Sequence, residues 1–289
     1  MPAMPEILDH VGPLLSRYDV LFSDVWGVVH DGKVAFSGAN DALTRFRSNG
    51  GTVVLVSNAP MPADEVARVL DEKKVVRSAW DAIVSSGDIA LRHIREKGYR
   101  RLYRIWRPGF DEVFVSRLPG ADTPLAEAEA IVCTGPFDER SEDPEAYRER
   151  LTEPAKRGVP FVCANPDYVV HVGAALIPCA GAIARIYEDL GGPVYWGGKP
   201  HPAAYATAFK EAERLRGKPV PKDRVLGIGD AIRTDLVSAA GAGVDALFVA
   251  SGIHRDEAIV GGKLDPDRLG ALFSDNAPPA IAATTALVW

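Results

Sequence analysis

Apolar and polar positions along this chain fall into two alternating periods, short unbroken apolar runs and longer stretches with helical spacing. Val20-Leu21-Phe22 is a buried strand that delivers Asp24 to a turn at Gly27. Ala42, Leu43 and Phe46 then recur at helical spacing over 40–48, and Asn49-Gly50-Gly51 stops that helix. Thr52–Val56 is a second buried strand, ending in Ser57-Asn58. The pattern predicts a helix over 62–73, a short strand over 82–84 and a helix over 87–97 closed by Gly98. Ahead of these, Ile7, Leu8, Val11, Leu14 and Leu15 predict a leading helix over 5–16. Strand and helix in alternation mean a parallel sheet with crossover helices.

The rhythm changes at Gly98. Arg101–Arg107 alternates charged and apolar residues in the manner of an exposed strand. A strand over 130–133, a helix over 144–157, a strand over 160–164, the turn Asn165-Pro166-Asp167 and a helix over 180–190 follow. Gly191-Gly192-Pro193 marks the return. Lys199 then sits on a Gly-Gly turn, before a helix over 202–215 with Pro in its first turn. A strand over 225–228 ends in Gly229-Asp230, and a helix over 234–242 takes Thr234 as N-cap and Asp235 in its first turn. A last strand spans 246–249, and the apolar tail is expected to pack back on the core. The expectation is a doubly wound α/β parallel sheet built from residues 1–97 and 193–289, with a smaller α/β domain, 98–192, inserted in it.

A chain of 289 residues suits two domains, and 47% hydrophobic with 25% charged residues is ordinary globular composition. The net charge of -6 argues against a nucleic-acid partner, which needs a basic face. Arg92, Arg95, Lys97, Arg100, Arg101, Arg104 and Arg107 do cluster, but they read as a solvated face. The three cysteines, Cys133, Cys163 and Cys179, form no C-x-x-C pair and read as buried reduced thiols. With no basic leader at the N-terminus and no apolar run near the ~20 residues that cross a bilayer, a cytoplasmic protein without a membrane partner is expected. Dinucleotide, serine-hydrolase and zinc motifs are absent.

Ligands of open parallel sheets bind beyond the carboxyl ends of the strands. Asp24, Ser57 and Asp230 each follow a strand and should share that edge, with Lys199 reaching in from a loop. A carboxylate can attack a phosphoryl group only where negative charge is masked. Mg²⁺ held by Asp24, Asp230 and Asp235, together with the Lys199 ammonium and a Ser57 hydrogen bond, would mask it. Attack by Asp24 gives an aspartyl-phosphate that water hydrolyses.

Four segments in this order, Asp24-Val25-Trp26-Gly27-Val28, Val56-Ser57-Asn58, Gly198-Lys199-Pro200 and Gly227-Ile228-Gly229-Asp230 with Asp235 five residues on, resemble the motifs of the haloacid dehalogenase (HAD) superfamily. The inserted module with Asn165-Pro166-Asp167 resembles its class IIA branch of 4-nitrophenyl, sugar and nucleotide phosphatases. The resemblance implies a Rossmann-like HAD core with an inserted α/β cap of the class IIA type and a small phosphorylated metabolite as substrate. Asp24 would be nucleophile and metal ligand. Ser57 and Lys199 would hold the phosphoryl group, and Asp230 and Asp235 would bind Mg²⁺, which also meets the backbone carbonyl of Trp26. Substrate contacts are expected from Asn58, Gly27, Asp167 and Cys179, and a homodimer through the cap follows from the same branch.

One position departs from the pattern. The second acid of the first motif, which protonates the leaving oxygen, is here Trp26. Its loss removes general acid–base catalysis, typically worth ~10²- to 10⁴-fold. A slow phosphatase, or one favouring good leaving groups, is the first expectation, with His30, Asp31 or Asp167 as stand-in donors. The alternatives are a C–X hydrolase of the haloacid dehalogenase type and a catalytically impaired phosphate-binding protein.

Overall fold

In the computed structural model, which describes residues 4–172, 175–274 and 277–289, the apolar runs assemble into two large sheets, each organising its own compact unit. One unit comprises Met1–Ser57, Ala67–Val84 and Ala204–Trp289; the other comprises Asn58–Val66 and Ser85–Ala203.

The first unit is organised by a seven-stranded sheet in the order Glu6–Leu8, Ala282–Thr284, Asp245–Val249, Val225–Gly229, Val20–Ser23, Thr52–Ser57, Ala82–Ser85. From Glu6–Leu8 through Thr52–Ser57 each neighbouring pair runs parallel. Val20–Ser23 and Thr52–Ser57 are buried at every position, as strands covered on both faces must be. The register pairs Ser23 with both Leu55 and Ile228.

Two expectations fail in this unit. The leading helix over 5–16 is instead a strand, Glu6–Leu8, followed by a single helical turn, Gly12–Leu15. Glu6–Leu8 pairs with Ala282–Thr284, and Val11 N–H donates to the Val288 carbonyl at 2.8 Å. A partner at the far end of the chain thus overrides local helical spacing. The same contacts dock the apolar tail on the core, as expected. Thr234 is not an N-cap, because a π-helical turn, Ile232–Leu236, precedes the helix Val237–Ala242.

The second unit carries a five-stranded parallel sheet in the order Val194–Trp196, Phe161–Cys163, Ala130–Cys133, Arg101–Ile105, Ala121–Asp122. Alternate side chains face opposite ways. Leu102, Ala130, Val132 and Val162 pack with Ala90, Leu91 and Ile94 of the helix Ser86–Lys97. Ile105, Ile131, Cys133 and Phe161 pack with Leu151, Ile183 and Tyr187 of the helices Tyr147–Lys156 and Ala180–Asp189. Because Ser86–Lys97 buries its apolar face on this sheet, the second unit begins before Gly98. Arg101–Ile105 lies inside the sheet rather than at an exposed position, with Leu102 and Ile105 fully buried. A hairpin, Val169–Val172 with Ala175–Pro178, completes the unit. Cys133, Cys163 and Cys179 are all free and buried. Among the described residues no helix is long and apolar enough to cross a membrane.

Candidate active site

Register brings the first set of polar residues together. Asp24 stands one residue past Ser23, Ser57 two past Leu55 and Asp230 two past Ile228, on three adjacent parallel strands. Asp24 N–H donates to the Ile228 carbonyl at 2.8 Å, which continues the sheet one step and fixes the nucleophile candidate at its edge. Asp235 enters from the π-helical turn, a feature that recurs at functional sites. Each of Asp24, Asp230 and Asp235 offers a carboxylate oxygen within 4.8 Å of the others. Asp230 and Asp235 are buried and Asp24 is half-buried.

Backbone hydrogen bonds orient the cluster. Asp24 Oδ1 accepts from Val25 N–H at 2.7 Å, Asp230 Oδ2 from Ile253 N–H at 2.6 Å, and Asp235 Oδ2 from Ala231 N–H at 3.1 Å. Gly27 explains how Asp230 fits. Its φ is +82°, and a Cβ there would lie 2.2 Å from Asp230 Oδ2, so only glycine both adopts the turn and leaves room for the carboxylate. Three close carboxylate oxygens are a hard donor set of the kind that suits Mg²⁺, and the residues present therefore fit the cation that the sequence implies.

The second set lies in the second unit. Asn58, the residue after Ser57, grips Lys199 by its backbone: Oδ1 accepts from Lys199 N–H at 2.8 Å and Nδ2 donates to the Lys199 carbonyl at 2.9 Å. Asn58 Nδ2 also donates to Asp167 Oδ1 at 2.9 Å. Lys199 is buried, and its bond to Pro200 is cis.

Three residues expected to touch substrate also make contacts within the protein. Asn58 commits both side-chain amide hydrogens to Asp167 and Lys199, which holds the loop. Gly27 gives its N–H to the His30 carbonyl at 2.8 Å and accepts from Ser251 Oγ at 3.1 Å. Cys179 is buried at the start of the helix Ala180–Asp189, and burial pushes its thiol pKa up. Asp167 is half-buried and is held by Asn58.

Two of the stand-in proton donors, His30 and Asp31, lie in the first unit. Burial, and next the Lys73 ammonium, push His30 down to about 4, and its Nδ1 accepts from Gly32 N–H at 2.9 Å. It is neutral at physiological pH. Asp31 Oδ1 accepts from Val34 and Lys33 N–H, both at 2.8 Å, and these bonds hold its carboxyl below the usual range. It is an ionised turn residue. Four members of the basic cluster have partners within the protein: Arg107 pairs with Asp111 and Glu139, Arg101 with Glu129, and Arg95 and Arg104 donate to backbone carbonyls. Sequence reasoning missed the bracing loop 251–253, whose only signal was Ser-Gly at the end of a neighbouring strand.

The haloacid dehalogenase-like hydrolase model matches residues 21–117, and a second, HAD-hydrolase-like model matches residues 196–274. The structure superposes on a hydrolase of the haloacid dehalogenase-like family from Brucella suis 1330 with a TM-score of 0.84 and 40% identity, covering 97% of this chain and 100% of that one. A dihydroxyacetone phosphatase from Corynebacterium glutamicum is 31% identical over 103 residues, 35% of each chain. A D-glycerol 3-phosphate phosphatase from Mycobacterium tuberculosis is 26% identical over 248 residues, 83% of this chain and 65% of that one. The chain thus spans about a third and just under two thirds of the lengths of these two phosphatases. From the two matched motif regions and the full-length likeness, the chain belongs to the haloacid dehalogenase-like hydrolase family.

Proposed function

We propose that this protein is a Mg²⁺-dependent phosphatase that acts on a small phosphorylated metabolite through an aspartyl-phosphate and favours good leaving groups. The observation that carries this reading is the clustering of the Asp24, Asp230 and Asp235 carboxylates at one sheet edge. Asp24, Asp230 and Asp235, with the Trp26 carbonyl, would hold the cation, which supplies charge neutralisation for an incoming phosphoryl group. Asp24 attacks phosphorus, the bond to the leaving oxygen breaks, and that oxygen departs with the electron pair. Ser57 and Lys199 hold the phosphoryl oxygens. Water then attacks phosphorus and releases phosphate, restoring the Asp24 carboxylate.

With His30 neutral and Asp31 ionised, neither protonates the leaving oxygen, which is why good leaving groups are favoured. A metal-free C–X hydrolase has no use for Asp230 and Asp235, so their clustering with Asp24 argues against that alternative. An impaired phosphate binder would keep the cluster and lose turnover.

Residues 98–192 act as the substrate-selecting cap in this reading, Asp167 among them, and the protein pairs through that cap in the cytoplasm without a nucleic-acid or membrane partner. The net charge of -6 supports the exclusion of nucleic acid. A panel of phosphorylated metabolites with and without Mg²⁺ tests the activity. Wild type should release phosphate only with Mg²⁺, Asp24→Asn should release none, and Trp26→Asp should gain rate on poor leaving groups. Halide release from 2-haloacids without Mg²⁺ would overturn the proposal.

A further inference from the structure

Trp26 is an exposed indole in an otherwise buried stretch. Val25, Val28, Val29 and His30 are at most 3% exposed, whereas Trp26 is 37% exposed. A single exposed apolar side chain needs no explanation in general, but this one occupies a prepared seat. Gly32 has φ +87°, and a Cβ there would lie 2.4 Å from the Trp26 benzo ring, so the loop admits the indole only because residue 32 has no side chain. The His30 ring packs against it edge-on, centroids 5.3 Å apart and planes at 68°. The Trp26 and His30 backbones also form a bridge.

Its anchorage is next to the chemistry. Trp26 lies between Asp24 and Gly27, and both are tied to the carboxylate cluster, Asp24 as a member and Gly27 as the backbone against which Asp230 packs. Two residues from the nucleophile, the chain therefore presents a fixed aromatic surface that carries no proton to give. A phosphate ester whose phosphorus faces Asp24 has its organic part directed away from the cluster. An aromatic leaving group satisfies both features of Trp26 at once: it stacks on the indole, and its oxygen departs without protonation because the ring delocalises the charge.

We propose that Trp26 is a specificity-determining residue whose indole stacks on the leaving group of the substrate and selects aryl phosphates over aliphatic phosphates of equal leaving-group acidity. This rests on the phosphatase reading for its turnover test, and a binding test separates the two.

The experiment compares phenyl phosphate with hexafluoroisopropyl phosphate, of similar leaving-group acidity, as substrates with Mg²⁺, for wild type, Trp26→Phe and Trp26→Leu. Wild type should favour the aryl ester about fivefold in kcat/KM, in line with the strength of one aromatic pair. Trp26→Phe should keep most of that preference. Trp26→Leu, which retains apolar bulk and loses the π face, should bring the two esters within about twofold. An unchanged ratio in Trp26→Leu, or no aryl preference in wild type, overturns the proposal. Phenylphosphonate and cyclohexylphosphonate, titrated calorimetrically into the same three proteins with magnesium present, give the second readout. If wild type turns over neither ester, the phosphatase reading fails; a phenyl preference in binding that Trp26→Leu abolishes would then still support the platform, and equal binding would overturn it.

Discussion

Asn58 holds the backbone of Lys199 at both of its polar groups, with Oδ1 taking the N–H at 2.8 Å and Nδ2 meeting the carbonyl at 2.9 Å. A long side chain such as lysine delivers its ammonium to a fixed point only if its Cα is fixed, and this pair fixes it. Asn58→Ala should therefore lower kcat/KM by about 100-fold, the cost of a misplaced catalytic group, although both hydrogens of the Asn58 side-chain amide are already committed to Asp167 and Lys199. Steady-state assays with 4-nitrophenyl phosphate check this. A variant that loses only stability, at full kcat/KM, would remove the positioning role.

The carboxylate cluster makes a second prediction. Asp24, Asp230 and Asp235 bring three carboxylates within 4.8 Å of one another, so a divalent cation bound there should stabilise the folded chain. Asp230→Asn keeps an oxygen for Ile253 N–H and removes one anionic ligand. The rise in melting temperature that Mg²⁺ gives wild type should shrink in this variant. Melting curves in EDTA and in Mg²⁺ read the effect. A variant shifted by Mg²⁺ as much as wild type would place the cation elsewhere.

What the sequence made legible was the set of strand ends. Asp24, Ser57 and Asp230 each follow an apolar run, and parallel register puts them on one edge. Glu6–Leu8 was illegible because its hydrogen-bonding partner is Ala282–Thr284, beyond any local window. The contacts of Asn58 with Lys199 and of Gly27 with Asp230 are illegible for the same reason, since those partners are brought in only by the fold. Asp235 was found by spacing but assigned to an ordinary helical turn; the wider π-helical turn in which it stands is a property of backbone geometry that its side-chain pattern does not encode.

Arg107 and Asp111 predict where the second unit is fragile. The Asp111 carboxylate is almost fully buried and accepts from Arg107 N and Nε at 3.1 and 3.0 Å, from Arg107 Nη2 at 3.0 Å and from Thr134 Oγ1 at 2.8 Å. Asp111→Ala leaves a largely buried guanidinium with Glu139 alone and should cost about 3 kcal/mol or more. Thr134→Val removes one charge-assisted hydrogen bond and should cost about 1.5–3 kcal/mol. Urea denaturation followed by a probe in this unit measures both. Equal stability of wild type and Asp111→Ala would show that the network is energetically idle.

His93 and Tyr195 stack with centroids 3.5 Å apart and planes at 7°, joining the helix Ser86–Lys97 to the edge strand Val194–Trp196. Burial, and next the Lys97 ammonium, lower the His93 pKa below its ordinary 6.5, while Glu96 opposes the shift. Between the folded value and 6.5 the unfolded chain binds the proton more readily than the folded one. The stability that neutral His93 contributes is therefore complete above about pH 6.5 and is lost as pH falls toward the folded pKa. Melting temperature measured from pH 7.5 to about pH 5 should decline, and His93→Phe, which keeps a ring against Tyr195 and cannot be protonated, should flatten part of that decline. If the two proteins lose stability in parallel over this range, His93 is not a source of the pH dependence and the loss must come from other groups, such as His30 and His201, that burial also keeps from protonating.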